Sequence, residues 1–468
     1  MKARTDPASR PKKFWLLCVF ILIVFLTGGG ARIDIQSLLF LQPVSVVVLA
    51  IALGSLRSEH VKDWKLLIGF VTGIIALAIV HVIPLPPGIW QSLAGREELI
   101  EVERLVGLSD VWRPLTMTPM NGWHAIVSFF PVLAVLFLSV QLTRNQRNQL
   151  LPLFLALGLL SGLLGILQIL GNPEGPLYFY RITNNGSAVG LFANRNHAAI
   201  LLACLFPMLA AYATAAQGTP DHIRNRHVMA LAAAVVLVPL ILVTGSRTGL
   251  VVSIVGLVGA AAIYSPPQAP SKRAAKSVLS LSRRSLVAVS VVIALGVATV
   301  LFSRAEAITR LFSVTAEASS RDAFWTASFD LFWKCFPWGC GSGSFVEAFQ
   351  IIEPSNLIDS TYLNHAHNDW IETAATFGIP GIVALLAIVS YWIFGIWQVS
   401  QRTQQSPRTR APNLMAAVIM AIFGIASIFD YPLRTPSLQI LFLMACFWLL
   451  DFRSDRSSAQ ISDLSRQK

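Results

Sequence analysis

Three short polar clusters interrupt an otherwise apolar sequence, and each contains arginine or histidine. The first, residues 194–197, has the sequence Asn-Arg-Asn-His and opens an apolar run. Arg195 is therefore expected in the first turn of a helix, where a cation opposes the helix dipole unless an anion binds beside it. The alternative is an arginine that extends to lipid headgroups. The cluster is thus a candidate anion site or a lipid contact.

The second cluster is a tight turn at 244–249, with the sequence Thr-Gly-Ser-Arg-Thr-Gly. Exposed backbone N–H groups next to hydroxyls and a guanidinium are the groups that bind phosphate. The alternative is a hairpin turn with a solvated arginine. Because the turn is short, Arg247 must stay at the membrane surface, where a charge usually has a function. This favours anion binding.

The third cluster, residues 362–372, contains two histidines just before a predicted helix. Asp369 and Glu372 have the spacing of a capping box, which predicts a helix that begins there. The dipole of that helix keeps His365 and His367 neutral, as a general base requires. Two alternatives stay open: a metal site formed by the histidines with Asp369 and Glu372, and a pair of solvated loop histidines. We predict no metal and no cofactor.

The composition indicates the elements that hold these clusters. Hydrophobic residues make up 54% of the 468 residues and charged residues 13%, against about 25% charged in soluble domains. This excludes disorder, a coiled coil and most soluble enzymes, and predicts an all-α polytopic membrane protein. About 20 apolar residues form one span. We predict about twelve transmembrane helices: 14–30, 37–56, 64–83, 122–142, 149–170, 193–215, 228–245, 249–265, 285–303, 381–400, 413–430 and 436–451.

The distribution of basic residues predicts the orientation. Lysine and arginine concentrate in segments that are cytoplasmic when both termini are inside. The net charge of +12 is then a topology signal and an attraction to anionic lipid, with no nucleic acid as partner. The three clusters lie on the outer side, where 304–380 forms a long segment between spans nine and ten. Within it, Cys335 and Cys340 are close enough in sequence to pair if the segment is extracytoplasmic.

Two further expectations concern charge and energy supply. Asp430 and Arg434, in the turn between the last two spans, are expected to pair with each other. The sequence has neither a Walker A motif nor an Asp-x-Asp pair. This argues against direct use of ATP, or of a nucleotide sugar held through a metal.

The clusters together resemble a known family. His367-Asn368, nine residues, Gly378, two residues and Gly381 resemble the His-[Asn/Ser/Gln]-x9-Gly-x-x-[Gly/Thr/Tyr] pattern of O-antigen ligases. The clusters at 194–197 and 246–249 are similar to that superfamily too, as is Arg321 followed by a proline and a glycine-rich turn. The resemblance covers roughly 185–385. It divides the chain into N-terminal helices 1–5 (1–185), a ligase-like catalytic region (186–400) and C-terminal helices with a cytoplasmic tail (401–468).

The resemblance implies an inverting, metal-independent membrane glycosyltransferase with the C-type fold, in the bacterial inner membrane. The donor would be a glycan on undecaprenyl diphosphate, and the acceptor a sugar hydroxyl of lipid A–core or of another glycan, on the periplasmic side. Arg195 and Arg247 would bind the diphosphate, and His367 would be the base, although His365 could exchange roles with it. The residues expected to orient or bind substrate are Asn194, His197, Ser246, Arg321, His365, Asn368 and Glu372.

Other functions remain open at this point. A polysaccharide polymerase or a protein ligase of the same superfamily would have a similar outer site. A transporter of a small anion such as bicarbonate is the alternative of another class. A transporter should show charges in mid-membrane, broken helices and often repeated halves, whereas the charges here cluster at one face. A purely structural function for the protein would leave the position of Arg247 unexplained.

Overall fold

The computed structural model describes residues 12–266, 316–358 and 362–451, with only the backbone for 316–322. The predicted ninth span, 285–303, and the start of the long segment that follows it lie outside these residues. The helices, numbered along the described part of the chain, are α1 (Lys12–Thr27), α2 (Leu38–Gly54), α3 (Ser58–Val80), α4 (Pro87–Trp90), α5 (Glu97–Leu105), α6 (Pro119–Val127), α7 (Phe130–Ser139), α8 (Arg144–Asn148), α9 (Leu151–Leu170), α10 (Arg195–Thr214), α11 (Pro220–Thr244), α12 (Arg247–Ile263), α13 (Ala316–Lys334), α14 (Phe345–Ile352), α15 (Asp369–Ser400), α16 (Pro407–Phe429) and α17 (Pro436–Leu450).

Strand content is small in the described residues. β1 (Pro84–Leu85) pairs antiparallel with β2 (Arg113–Pro114). Short 3₁₀ turns lie at Ser355–Leu357 and Pro432–Arg434. The predicted all-α class is therefore confirmed.

Seven helical stretches of the described chain are long and apolar enough to cross a membrane. Every predicted span within the described residues coincides with a helix or, at 122–142, with the consecutive helices α6 and α7, which confirms a membrane-embedded protein. The number twelve and the orientation remain predictions. The seven stretches are Ser58–Val80, Pro119–Ser139, Arg144–Leu170, Arg195–Thr214, Pro220–Thr244, Asp369–Ser400 and Pro407–Phe429.

Helix α10 is the central helix of the bundle. Within its most apolar 18-residue window, 94% of the residues are buried, as expected of a helix that is apolar on all sides. It packs against α9, α11, α12 and α16. The approach of α12 is close because a Cβ on Gly249 would lie 2.3 Å from that of Ala199. Small residues permit such contacts between membrane helices, so the starts of α10 and α12 lie side by side.

Helices α10 and α12 begin at one end of the bundle. A buried ion pair stabilises the opposite end. The guanidinium of Arg147, just before α9, donates to both carboxylate oxygens of Asp451 at 2.7 and 2.8 Å. Both side chains are 5% exposed. Arg147 also stacks on Trp64 at 4.9 Å. Since Asp451 follows α17, the pair ties that helix to α9.

Residues 81–121 and 334–352 form a cap. It covers part of the end of the bundle at which α10 and α12 begin. Thr116 donates to the carbonyl of Ser342 at 2.8 Å, and the Ser342 amide donates to Nδ1 of His81 at 3.1 Å. The side chains of Cys335 and Cys340 form a disulfide, as the sequence allowed. The two hydrogen bonds join the two parts of the cap, which lie more than 200 residues apart in sequence, whereas the disulfide closes a loop within the second part.

The cap also fixes a kink in α15. Gly378 has φ +58°, and a Cβ there would lie 2.0 Å from the carbonyl oxygen of Pro337, so only glycine fits. The amides of Ile379 and Gly341 donate across this contact to Pro337 and Thr376, at 2.8 and 3.0 Å. Past the kink the helix continues to Ser400, so the cap holds the first turns of α15 in place.

We expect Arg147→Ala to lower the free energy of unfolding by about 3 kcal/mol, because it leaves the Asp451 carboxylate buried without its partner. Denaturation in detergent micelles measures the change. The control is Arg104→Ala, which removes an exposed pair with Glu101 (68% and 53% exposed) and should cost less than about 1 kcal/mol. Equal losses for the two variants would contradict the assigned role.

Candidate active site

Three helices begin at one end of the bundle, and the predicted polar clusters form their starts. Each is capped by the side chain before its first residue. Asn194 accepts from the amide of Asn196 at 2.8 Å, and Ser246 from that of Gly249 at 2.9 Å. Asn368 accepts from two amides of α15, at 3.0 and 3.1 Å. These caps fold each cluster locally, since Asn and Ser satisfy the first N–H groups of a helix.

The carboxylate of Asp430 joins the clusters. This residue directly follows the last residue of α16 and is fully buried. Asn196 donates to its Oδ2 at 2.5 Å, while Asn196 Oδ1 accepts from Ser246 Oγ at 2.7 Å. Nδ1 of His367 lies 3.6 Å and Nε2 of His197 3.9 Å from Oδ1. One carboxylate therefore connects the starts of α10, α12 and α15.

The surroundings of Asp430 favour its charged form. Its own helix opposes a negative charge at its C-terminal end. Burial alone would raise the pKa of Asp430, but the neighbouring imidazoles of His367 and His197 and the amide of Asn196 hold it below its ordinary value of 3.8. The amide of Tyr431 also donates to Oδ1 at 2.9 Å. Asp430 is therefore a buried anion that polar donors surround.

Three imidazoles surround the ring of Tyr431. The ring centroids of His365, His367 and His197 lie 4.4, 5.0 and 5.1 Å from that of the phenol. Burial raises the pKa of Tyr431 above its ordinary value, which keeps the phenol neutral. His197 is the least accessible imidazole, at 1% exposed, and its Nδ1 pairs with Thr435 Oγ1 at 2.9 Å. Its surroundings make it a packing residue of the site.

His367 has a strained backbone conformation and a solvent-accessible side chain. Its φ of +50° makes it the only non-glycine residue of positive φ within the described chain. Such strain concentrates at functional sites. The side chain is 32% exposed, against 14% for His365. His367 is thus the more accessible of the two predicted histidines.

His365 belongs to a separate acidic network. Its Nδ1 pairs with Glu372 Oε1 at 3.0 Å, and Oε2 of that carboxylate accepts from the amide of Ala366 at 2.9 Å. Arg434 completes the network, 3.4 Å from Glu372 and 3.2 Å from Asp369. Glu372 therefore orients the histidine loop from inside the helix.

Two expectations about these charges are wrong. Arg434 does not pair with Asp430 but with Asp369 and Glu372, because the turn after α16 places its side chain against the start of α15. Asp369 is not the capping residue either. Asn368 caps α15, and Asp369 instead accepts from Ser427 at 3.2 Å.

The two arginines predicted to bind an anion are the first residues of α10 and α12. Arg195 is partly buried and Arg247 is exposed. Arg321 lies on α13, but its side chain is outside the described part. Among the residues that the structure describes, no group of three or more His, Cys, Asp or Glu side chains is arranged to hold a metal ion.

The comparison with protein families bears on this region. Residues 232–386 match the family model described as O-antigen ligase. The resemblance to the O-antigen ligase superfamily is confirmed. The matched region includes Arg247, His365 and His367, and it ends before Asp430. A search of curated proteins gives no match.

The match has three coarse consequences. It supports a membrane protein of the O-antigen ligase and polymerase group. It supports glycosyltransferase-like enzyme activity. It also implies a lipid-linked glycan donor and an acceptor as the general partners. The roles of the individual site residues stay predictions.

Sequence reasoning missed the residues that join the clusters. Asn196 was part of a recognised cluster, but its bridging position depends on how closely α10 and α12 pack. Asp430 is recognisable in the sequence as a charge, but its proximity to Arg434 predicts the wrong partner. The available signal was its position: a carboxylate at the end of an apolar helix opposes the helix dipole and must therefore find donors elsewhere.

We expect Asn196→Ala to lower the free energy of unfolding by about 2 kcal/mol, since hydrogen bonds to charged groups contribute roughly 1.5–3 kcal/mol. Asn196→Asp should cost more, because it sets a second carboxylate against Asp430. Denaturation in detergent micelles measures both. Asn172→Ala is the control, as this exposed side chain caps only a local turn. A loss for Asn196→Ala no larger than the control's would contradict the bridging role.

Proposed function

We propose that this protein transfers a glycan from undecaprenyl diphosphate to a sugar hydroxyl, as an O-antigen ligase does, with lipid A–core as the acceptor. The observation that carries the proposal is the convergence on Asp430. It places two helix starts that bear arginine next to an accessible, strained histidine. A cation pair with a neighbouring base is what the transfer of a diphosphate-linked sugar requires.

The arginines would bind the leaving group. Arg195 and Arg247 begin adjacent helices, whose N-terminal N–H groups and dipoles also attract anions. As the bond between the anomeric carbon and the diphosphate oxygen breaks, its electron pair stays on that oxygen. The guanidiniums stabilise the charge that develops there. The energy for transfer resides in the diphosphate linkage, which agrees with a sequence that has no ATP-binding motif.

His367 would activate the acceptor. Its Nδ1 faces Asp430 at 3.6 Å, which leaves Nε2 for the acceptor hydroxyl. Nε2 takes the hydroxyl proton, the oxygen forms its bond to the anomeric carbon from the opposite side, and the configuration inverts. Asp430 stabilises the imidazolium that results, as a carboxylate does beside a catalytic histidine. His365 is less accessible and already paired with Glu372, which favours His367 as the base.

The proposed setting is the periplasmic face of the bacterial inner membrane. The positive-inside distribution of charge supports it. The disulfide in the cap supports it too, because disulfides persist in oxidising compartments. Asn194, His197, Ser246, Asn368 and Glu372 would act by holding these groups in position, and Arg321 by binding substrate.

We expect Arg247→Ala and His367→Ala each to reduce transfer by at least about a hundredfold, the usual effect of losing a general base or a charge-stabilising group. The measurement is complementation of a strain deleted for this gene, with surface glycans compared on gels and protein levels checked. Loss of long glycan from lipid A–core, with polymer accumulating on the lipid carrier, is the predicted result.

The matched controls are Arg104→Ala and His222→Ala, which alter exposed side chains on α5 and α11 and should complement fully. Single-repeat glycan that remains on the core would identify a polymerase of the same superfamily and overturn the ligase proposal. Unchanged glycans with both site variants would overturn glycosyl transfer altogether and favour a transporter.

A further inference from the structure

A polar cleft lies beside the active site. It has a volume of about 120 Å³ and is formed by the loop between α1 and α2 and the loop that precedes α10. Its lining combines charged, amide, hydroxyl and aromatic side chains, among them Arg32, Asp34, Gln36, Ser37, Phe179 and Arg181. None of these residues belongs to the three clusters of the proposed reaction.

Two guanidiniums share one carboxylate in this cleft. Nε and Nη2 of Arg32 donate to the two oxygens of Asp34 at 2.8 and 3.0 Å. Arg181, from the other loop, donates to Oδ2 at 3.1 Å. The three side chains together keep one net positive charge. Since the Arg181 side chain is 78% exposed, most of its guanidinium is accessible to a ligand.

Aromatic side chains stand next to these charges. Phe179, which lines the cleft, is 53% exposed. The guanidinium of Arg32 lies 5.5 Å from the ring centroid of Tyr362, which is 46% exposed. A carboxylate able to accept from sugar hydroxyls, a cation, and an exposed aromatic face are together suited to a sugar that bears an acidic group.

Short contacts attach the cleft to the active site. The Tyr180 hydroxyl accepts from the amide of Gly29 at 2.7 Å, and the carbonyl of Gly29 accepts from the amide of Ala193 at 3.0 Å. The chain then continues directly into the Asn194 cap of α10. Arg32 also lines a smaller neighbouring cleft, of about 50 Å³, together with Arg434. The cleft is thus close to the cluster at 194–197 and, through Arg434 beside Glu372, to the histidine cluster.

We propose that this cleft binds an acidic sugar, one carrying a phosphate or a carboxylate, of the glycan substrates. Its volume is below the roughly 300–1,000 Å³ of sites for whole small molecules, so it holds a single residue of a longer chain. Arg181 binds the acidic group, Asp34 accepts from sugar hydroxyls, and Phe179 covers the ring. The proposal deepens the proposed function, since it rests on a glycan substrate at the neighbouring site.

Binding by the full chain in detergent micelles tests the proposal, with glucose 6-phosphate, glucose, glycerol 3-phosphate and inorganic phosphate as probes in saturation-transfer titrations. We expect glucose 6-phosphate to bind at least tenfold more tightly than the other three. Arg181→Gln and Phe179→Ala should each weaken it by about tenfold. The control Arg104→Gln, which removes another exposed, ion-paired arginine, should bind as the wild type does.

Equal binding of glucose 6-phosphate by Arg181→Gln and by the wild type would overturn the proposal. So would inorganic phosphate that binds as tightly as glucose 6-phosphate. Glycerol 3-phosphate that binds more tightly than glucose 6-phosphate would also overturn it and would indicate a lipid headgroup site. Arg247→Ala separates this inference from the proposed function, because it should abolish transfer and leave glucose 6-phosphate binding intact. If the wild-type protein binds glucose 6-phosphate but transfers no glycan, that result overturns the proposed function and leaves the binding site standing.

Discussion

The buried carboxylate of Asp430 is the constraint on which the site depends. A fully buried charge is stable only where donors and cations replace the water it has lost. Here the donors come from Asn196 and from the turn after α16, and the imidazole of His367 completes the shell. Segments more than 230 residues apart must therefore meet at this point. Because Asn196 also accepts from Ser246, the same carboxylate sets the distance between the starts of α10 and α12.

The rest of the architecture holds this meeting point rigid. The buried central helix α10 aligns its neighbours, and the close contact at Gly249 brings α12 against it. The cap packs against the kink of α15 at Gly378 and so fixes the start of that helix. His367, two residues before that helix, is held with φ +50°, a strain that the surrounding contacts sustain. Groups fixed before substrate arrives need little reorganisation during a reaction.

Part of this arrangement was predictable from the sequence, for physical reasons. Hydropathy gave the helices because a span needs about 20 apolar residues, and the cost of a charge at a membrane boundary singled out Arg247 and His367. The sequence did not predict correctly which charged side chains pair. Proximity in sequence predicts that Arg434 pairs with Asp430, yet it binds Asp369 and Glu372. Which buried charges meet depends on how helices pack, and a single sequence shows spacing along one helix but not contacts between helices.

The central claim is that Asp430 acts through His367 in glycosyl transfer. A double-mutant cycle on the purified protein tests it most directly, with single-turnover transfer from an undecaprenyl diphosphate-linked glycan measured for Asp430→Asn, His367→Ala and the double variant. If the two act as a unit, the double variant loses no more rate than His367→Ala alone, because such losses are not additive. Losses that multiply, or an Asp430→Asn variant as fast as the wild type, would contradict the account.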